Sequence, residues 1–258
     1  MQIIVPFFLL LLSIQNSFAK ENYTLDIGLG AGLLSFPEYV GSDYQKTYVA
    51  PYPYVYYKSD KYLIEDNRFF NHLYKKNNFF IDLSMGGSFP VKNDEESNRK
   101  GLEELDPTLG IGVSLKYRIL DQYPYIINLE LPVQGVFRTD FTYAKHTGYS
   151  FEPLIRLNYF HNGFKYYLRG GLKVVSQKYH QYFYGVSKDN SASYDEYTAS
   201  SGYSHFWSSL GLSGKIHKSY RLGAYVKYYN LSGSTIEDSP LVTTKENFFF
   251  ATALTYLF

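Results

Sequence analysis

Bulky apolar residues alternate with small or polar ones along most of this chain. "YTLDIGLGAGL" sets Tyr23, Leu25, Ile27, Leu29, Ala31 and Leu33 against Thr24, Asp26, Gly28, Gly30 and Gly32. "PTLGIGVSLKYRI" sets Leu109, Ile111, Val113, Leu115, Tyr117 and Ile119 against Thr108, Gly110, Gly112, Ser114, Lys116 and Arg118. The closing stretch "FFFATALTYLF" puts Phe248, Phe250, Leu254, Tyr256 and Phe258 on one row, with Thr252 its polar break. A period of two means strands with two unlike faces. The pattern predicts strands over 23–33, 47–57, 61–66, 68–74, 78–89, 107–119, 124–137, 149–159, 164–183, 203–215, 220–231 and 247–258.

A soluble sandwich also alternates. Two features favour a transmembrane barrel. The apolar rows begin or end in Tyr or Phe, while the opposite rows carry Gly, Ser and long charged side chains. That arrangement suits lipid outside, aromatic girdles at both interfaces and a polar lumen inside. Connections also alternate in length. "KKNN", "HNG" and "HKS" are short, whereas 34–46, 90–106, 138–148, 185–202 and 232–246 are long. Short periplasmic turns and long outer loops give this rhythm. The expected fold is therefore all-β, an antiparallel barrel of about twelve strands. An even count keeps both chain ends on the periplasmic side.

"MQIIVPFFLLLLSIQNSFA" has an apolar centre followed by Ser17-Phe18-Ala19, the layout of a cleaved secretory signal. No Lys or Arg precedes its apolar centre, a departure from the usual pattern. The expected division is a signal peptide at 1–19 and a barrel at 20–258, located in the outer membrane of a Gram-negative cell. The last strand must close against the first, because lipid tolerates no open edge. Tyr256 and Phe258 on its apolar row resemble the C-terminal signal by which outer-membrane barrels are recognised for insertion.

Composition narrows the chemistry. The chain has no cysteine, which excludes disulfides, thiol nucleophiles and thiolate metal sites. A formal net charge of +1 gives no reason to expect nucleic acid. Strand phase turns Lys116, Arg118, Arg156, Lys165, Arg169, Lys173, Arg221 and Lys227 inward, with Asp26, Asp82, Glu130 and Glu152 as the inward acids. Such a lumen is either a plug of ion pairs or a narrow pore preferring anions. His180 and His205 fall near the outer rim with Ser204 and Asp195, but no spacing specifies a catalytic set, and no enzyme is expected. The acidic run "NDEESNRKGLEELD" lacks the spacing of a calcium loop and reads as a solvated outer loop. A looser reading lets it meet lipopolysaccharide through bridging divalent ions. No metal or cofactor is expected.

Pro51 and Pro53 share one face of "PYPYVYY" and remove two ladder donors, so that strand should be locally irregular. The aromatic run "YHQYFYGV" should stand beyond the lipid on an overlong strand.

Three stretches resemble the MipA/OmpV family of outer-membrane proteins. The first runs from "GLGAGL" to "PYPYVYY", with Pro37, Tyr39, Gly41, Ser42, Pro51, Pro53 and Tyr56 matching the family pattern. The second is "YHQYFYGV", with Tyr179, His180, Tyr182, Tyr184 and Gly185. The third is "DSPLV", with Asp238, Ser239 and Pro240. The resemblance implies a barrel of this size and no catalytic residues. It also implies a scaffold for murein synthesis and turnover, partnered by a lytic transglycosylase and a penicillin-binding protein. Short periplasmic turns leave such a partner little to grip. The alternatives are a small anion-preferring channel or uptake barrel, and a surface adhesin or antigen.

Overall fold

The alternation becomes strand in a computed structural model that describes residues 23–58, 62–65, 68–93, 97–140, 142–188 and 194–258. The expected signal peptide at 1–19 lies outside the described residues. Among these residues run β1 (Thr24–Pro37), β2 (Gln45–Lys58), β3 (Tyr62–Glu65), β4 (Arg68–Lys76), β5 (Phe79–Ser88), β6 (Thr108–Gln122) and β7 (Tyr125–Thr139). β8 (Ala144–Phe151), β9 (Leu154–His161), β10 (Phe164–Val175), β11 (Gly202–His217), β12 (Tyr220–Asn230) and β13 (Glu246–Leu257) follow. One short helix, α1 (Gln177–Tyr184), lies between β10 and β11.

All pairings are antiparallel, and successive passes are neighbours. β13 returns to pair with β1, setting Leu29 opposite Tyr256 and Gly30 opposite Thr255. β10 pairs with β11 along Phe164–Val175. β8 and β9 act as one pass broken at Glu152-Pro153, because both lie between β7 and β10. Proline cannot donate to a ladder, so its carbonyl carries the contact: Leu172 N–H donates to Pro153 O at 3.1 Å. Twelve passes thus contain thirteen strands. Tyr62–Glu65 and Arg68–Lys76 are two strands, as the alternation predicts.

Outward rows are exposed and apolar: Leu25, Ile27 and Leu29 on β1, Ile111, Val113 and Leu115 on β6, Phe248, Phe250 and Leu254 on β13. Left in water, each such side chain would forgo about 1.5–3 kcal/mol of burial. Facing lipid, it forgoes nothing. Inward rows bury Asp82, Lys116, Asn128, Arg156, Asn158, Arg169 and Ser209. Tight turns at the opposite end from the long loops use Asn77 (φ 52°), and Asn162 with Gly163 (φ 49° and 77°). Asn and Gly are the residues that tolerate this left-handed backbone.

Four expectations are corrected. The strand at 164–183 ends at Val175, and "QKYHQYFY" is helical. Its rings explain why: Tyr179 packs on Phe183 and His180 on Tyr184, each four residues apart and on one helix face. The strand at 149–159 begins earlier, at Ala144, and breaks at Pro153. The loop after β7 is correspondingly short. Lastly, β2 is regular: it pairs with β1 along Gln45–Lys58 without a register shift, despite Pro51 and Pro53. Phe258 N–H donates to Ile27 O, so the odd positions of β1 bond to β13. Pro51 and Pro53, opposite Ala31 and Leu29, sit where no donor to β1 is needed.

Candidate functional site

The long loops do not hang free. They fold over one end of the barrel around a core of their own, formed by Tyr39, Val91, Leu102, Leu105, Phe183, Tyr184, Val186, Ala199, Leu231, Ile236 and Leu241. Leu231, Ile236 and Leu241 are wholly buried. This cap holds the aromatic run and the two other loop motifs that the sequence singles out. Tyr39 Oη donates to Leu241 O at 2.8 Å, Tyr184 Oη to Val40 O at 2.6 Å and Ser239 Oγ to Tyr184 O at 2.8 Å. Three segments up to 202 residues apart are thereby tied into a triangle. Asp238 stays exposed and Pro240 half-buried.

Gly41 is fixed by geometry. Its φ is +103°, and a Cβ there would meet Leu231 at 3.2 Å and Val242 at 3.3 Å. Asn247 clamps the same turn: Gly41 N–H donates to Asn247 Oδ1 at 2.6 Å, and Asn247 Nδ2 donates to Ser42 O at 2.7 Å. Gly185 ends α1, its N–H donating to Gln181 O at 3.0 Å.

A buried carboxylate sits beside this turn. Glu38 accepts from Ser97 Oγ at 2.8 Å, Asn98 N–H at 3.0 Å and Ser42 Oγ at 3.2 Å, with Lys46 Nζ at 3.9 Å. Arg99 is buried too and donates to Phe183 O at 2.8 Å and Glu103 O at 3.3 Å. Burial lowers its guanidinium pKa, against the pull of Tyr39 and Glu38. Burial raises the Tyr39 and Tyr184 phenols well above their usual range and pushes Tyr182 up to about 12. These hydroxyls are donors, not acids, at any physiological pH. Sequence reasoning missed Glu38, Arg99 and Asn247; an acid between Pro37 and Tyr39 was the one available signal. The acidic run is corrected as well. Ser97, Arg99, Leu102 and Leu105 are buried in the cap, so it is not a solvated loop, though Asp94, Glu95 and Glu96 lie outside the described residues.

The charges that strand phase turns inward make three kinds of contact. Some are ion pairs: Lys116 Nζ with Asp82 at 2.5 Å, Arg156 Nη2 with Glu130 at 2.7 Å, Arg118 Nη1 with Asp121 at 2.6 Å, Lys173 Nζ with Glu152 at 3.9 Å. Asp26 meets Lys215 at 3.3 Å, a partner that strand phase did not suggest. Others lie over rings: Arg169 over Tyr167 at 4.5 Å, Arg221 over Tyr54 at 5.0 Å, Lys227 over Trp207 at 4.1 Å. Arg221 also donates to Ser213 Oγ at 3.0 Å. Lys165, half-buried on β10, holds the same phase as Arg169. At the turn end, Tyr256 and Phe258 are exposed and contact each other edge-on.

Catalytic chemistry gains no geometry. Ser204 Oγ and His205 Nδ1 are 3.1 Å apart, but both side chains are buried. His180 is spent on the cap, its Nδ1 donating to Ser200 O at 2.7 Å. Among the described residues, no group of three His, Asp or Glu could hold a metal ion.

The family model described as "MltA-interacting protein MipA" matches residues 29–258. Among solved structures, OmpT of Vibrio cholerae, an outer membrane protein, is 10% identical with a TM-score of 0.40, covering 94% of this chain and 100% of that one. The outer membrane protease OmpT of Escherichia coli is 10% identical with a TM-score of 0.32, over 95% of this chain and 100% of that one. A Pseudomonas aeruginosa FadL homologue is 8% identical with a TM-score of 0.29, over 91% and 89%. A search of curated proteins finds no match.

Proposed function

The chain belongs to the MltA-interacting protein MipA family, and from that premise we propose that it is a non-catalytic outer-membrane barrel that docks murein enzymes on its periplasmic side. Residues 1–19 act as the secretory leader, and Tyr256 with Phe258 mark the closing strand for insertion. The partners are a lytic transglycosylase, the class the family description points to, and a penicillin-binding protein.

One observation carries the reading: the two ends of the barrel differ. The outer loops are committed to a buried core and tied backbone to side chain. Loops held this way are poorly suited to adhesion, and they overlie the lumen. The opposite end displays exposed aromatics at and beside its turns, Tyr123 at 80% and Phe258 at 82% exposure, with Tyr125 and Tyr220 nearby. Exposed aromatic anchors are what an interface of several small patches requires. The second reading, passage of anionic solutes, keeps the support of the basic lumen.

Cross-linking followed by affinity capture tests the proposal, using mature protein tagged near Lys20. A lytic transglycosylase or penicillin-binding protein should be recovered. Recovery should disappear when the turns at 77–78, 123–124, 162–163 and 218–219 are replaced together. A clean preparation lacking any murein enzyme would end the scaffold reading.

A further inference from the structure

β7 and β8 meet at the loop end in a like-charge pair. Arg138 stands directly opposite Lys145 in their register. Two cations so placed repel each other and weaken a ladder. A third cation joins them from α1: Lys178 Nζ lies 3.5 Å from Nδ1 of His146, the residue after Lys145. All three cations line one cavity of about 450 Å³. Among the described residues, that lining holds no Asp or Glu. Acids stand outside it and are engaged elsewhere. Asp106 accepts from Tyr143 Oη at 2.5 Å, and Asp140 accepts from Thr142 and Tyr143 in its own turn. Glu103 and Glu104 line a smaller adjoining cavity, which shares Arg138 and also holds Arg99.

The local structure fixes this arrangement. The register of β7 and β8 shifts between Val136 and Phe137, which makes Thr147 an extra residue on β8. Thr147 Oγ1 accepts from Arg138 N–H at 3.1 Å and donates to Lys145 O at 3.0 Å. Both cation-bearing residues are thereby tied to the bulge. Bulges re-aim side chains and recur beside functional sites. Gly148 follows with φ +138°, and a Cβ there would run into Ser176 Oγ and the Tyr179 backbone nitrogen. Glycine therefore lets α1 sit close against β8. Ser176 then bonds Tyr149 twice: its N–H donates to Tyr149 O, and its Oγ accepts from Tyr149 N–H, both at 3.0 Å. The start of α1, and with it Lys178, is anchored to the strand that carries Lys145. An anion seated among these cations turns their repulsion into attraction.

The lining selects the anion. A carboxylate neutralises one cation of the three. A phosphate monoester carries close to two charges at neutral pH and three acceptor oxygens. Arg138 offers a planar fork that matches a phosphate, and its guanidinium lies 5.5 Å from the Tyr182 ring centroid. The cavity is larger than one phosphate requires and falls within the roughly 300–1,000 Å³ of small-molecule sites. Gln177 and Thr198, both exposed, add an amide and a hydroxyl to the lining. Such neutral donors and acceptors suit sugar hydroxyls.

We propose that this cavity binds a phosphorylated sugar, with its phosphate among Arg138, Lys145 and Lys178 and its hydroxyls against Gln177 and Thr198. It lies at the long-loop end, away from the turns where murein enzymes are proposed to dock. Two sources present this chemistry: the head group of a phosphorylated glycolipid in the surrounding membrane, and a free sugar phosphate.

The test begins with mature protein refolded in a neutral detergent and titrated calorimetrically with glucose 1-phosphate at low ionic strength. Binding is expected, with none for glucose and about fivefold weaker binding for inorganic phosphate. Lys145→Gln combined with Lys178→Gln should weaken binding about tenfold or more. Both lysines are exposed, so this variant should keep the heat-modifiable mobility of the folded barrel. A second arm separates the sources. Protein is placed in phosphatidylcholine nanodiscs containing diphosphoryl lipid A or its dephosphorylated form, and the lipid it retains is read by native mass spectrometry. Retention of the diphosphoryl form alone, lost in the lysine variant, assigns the site to the glycolipid. Binding of glucose 1-phosphate without such retention assigns it to the free solute. No binding in either arm, affinity unchanged in the lysine variant, or inorganic phosphate bound as tightly as glucose 1-phosphate would overturn the site.

Discussion

Leu231, Ile236 and Leu241 in the cap are wholly buried, while Leu29, Val113, Leu210 and Leu254 in the wall are exposed on its outside. In the wall it is Lys116, Arg156 and Arg169 that are buried. The cap is packed as a soluble core is, driven by removal of apolar surface from water. The wall is packed inside out. Its outer face is stable only against lipid, and its inner face is held by ion pairs and cation–ring contacts. Two packing logics in one chain should fail separately, and that separation can be tested.

The sharpest break is a cavity in the cap. Leu241→Ala removes a wholly buried side chain and should cost the cap about 2–5 kcal/mol. Protease should then cut the outer loops much faster, while the folded barrel keeps its heat-modifiable mobility in detergent gels. If cap and barrel weaken together, the two are one cooperative unit and the comparison fails.

The converse lesion sits in the wall. Arg156 and Glu130 are both largely buried, and Arg156→Met leaves the carboxylate without its 2.7 Å partner. The expected loss is about 1–3 kcal/mol in barrel stability, seen as a lower temperature for the mobility change. Loop proteolysis should stay at the wild-type rate. Adding Glu130→Gln should restore most of the loss, because the stranded charge is then gone. No recovery would mean that the arginine acts through packing alone.

The same contrast explains what the sequence could reveal. Strand phase is a local property, so the wall was legible: alternation puts Lys116, Arg156 and Arg169 opposite the apolar rows, and all three are buried. The cap was not. Its contacts join Tyr39 to Leu241 and Gly41 to Asn247 across more than 200 residues, and no period encodes them. The aromatic run at 179–184 misled because tyrosine and phenylalanine favour strands. Only tertiary burial of Phe183 and Tyr184 makes it a helix. Pro51 and Pro53 read as a flaw in a strand when taken alone. With the register known, both turn away from β1 and leave that ladder intact.

The gentlest way to set cap against wall is acid. His180 is wholly buried between Tyr184 and Tyr179, and its Nδ1–H is given to Ser200 O. Its Nε2 is buried and makes no hydrogen bond in the protein. Burial lowers its pKa from the usual 6.5, the Ser200 carbonyl opposes that shift, and the Lys173 ammonium reinforces it. The folded cap therefore binds fewer protons here than the unfolded loops do. Its stability is full above about pH 6.5 and falls as the pH drops toward the lowered folded value. Hydrogen exchange over 177–184 should quicken between pH 7.5 and 5, with exchange over β6, which carries no histidine, far less affected at matched intrinsic rates. His180→Gln should flatten that difference. Were the variant to loosen in acid as wild type does, His180 would not be the trigger.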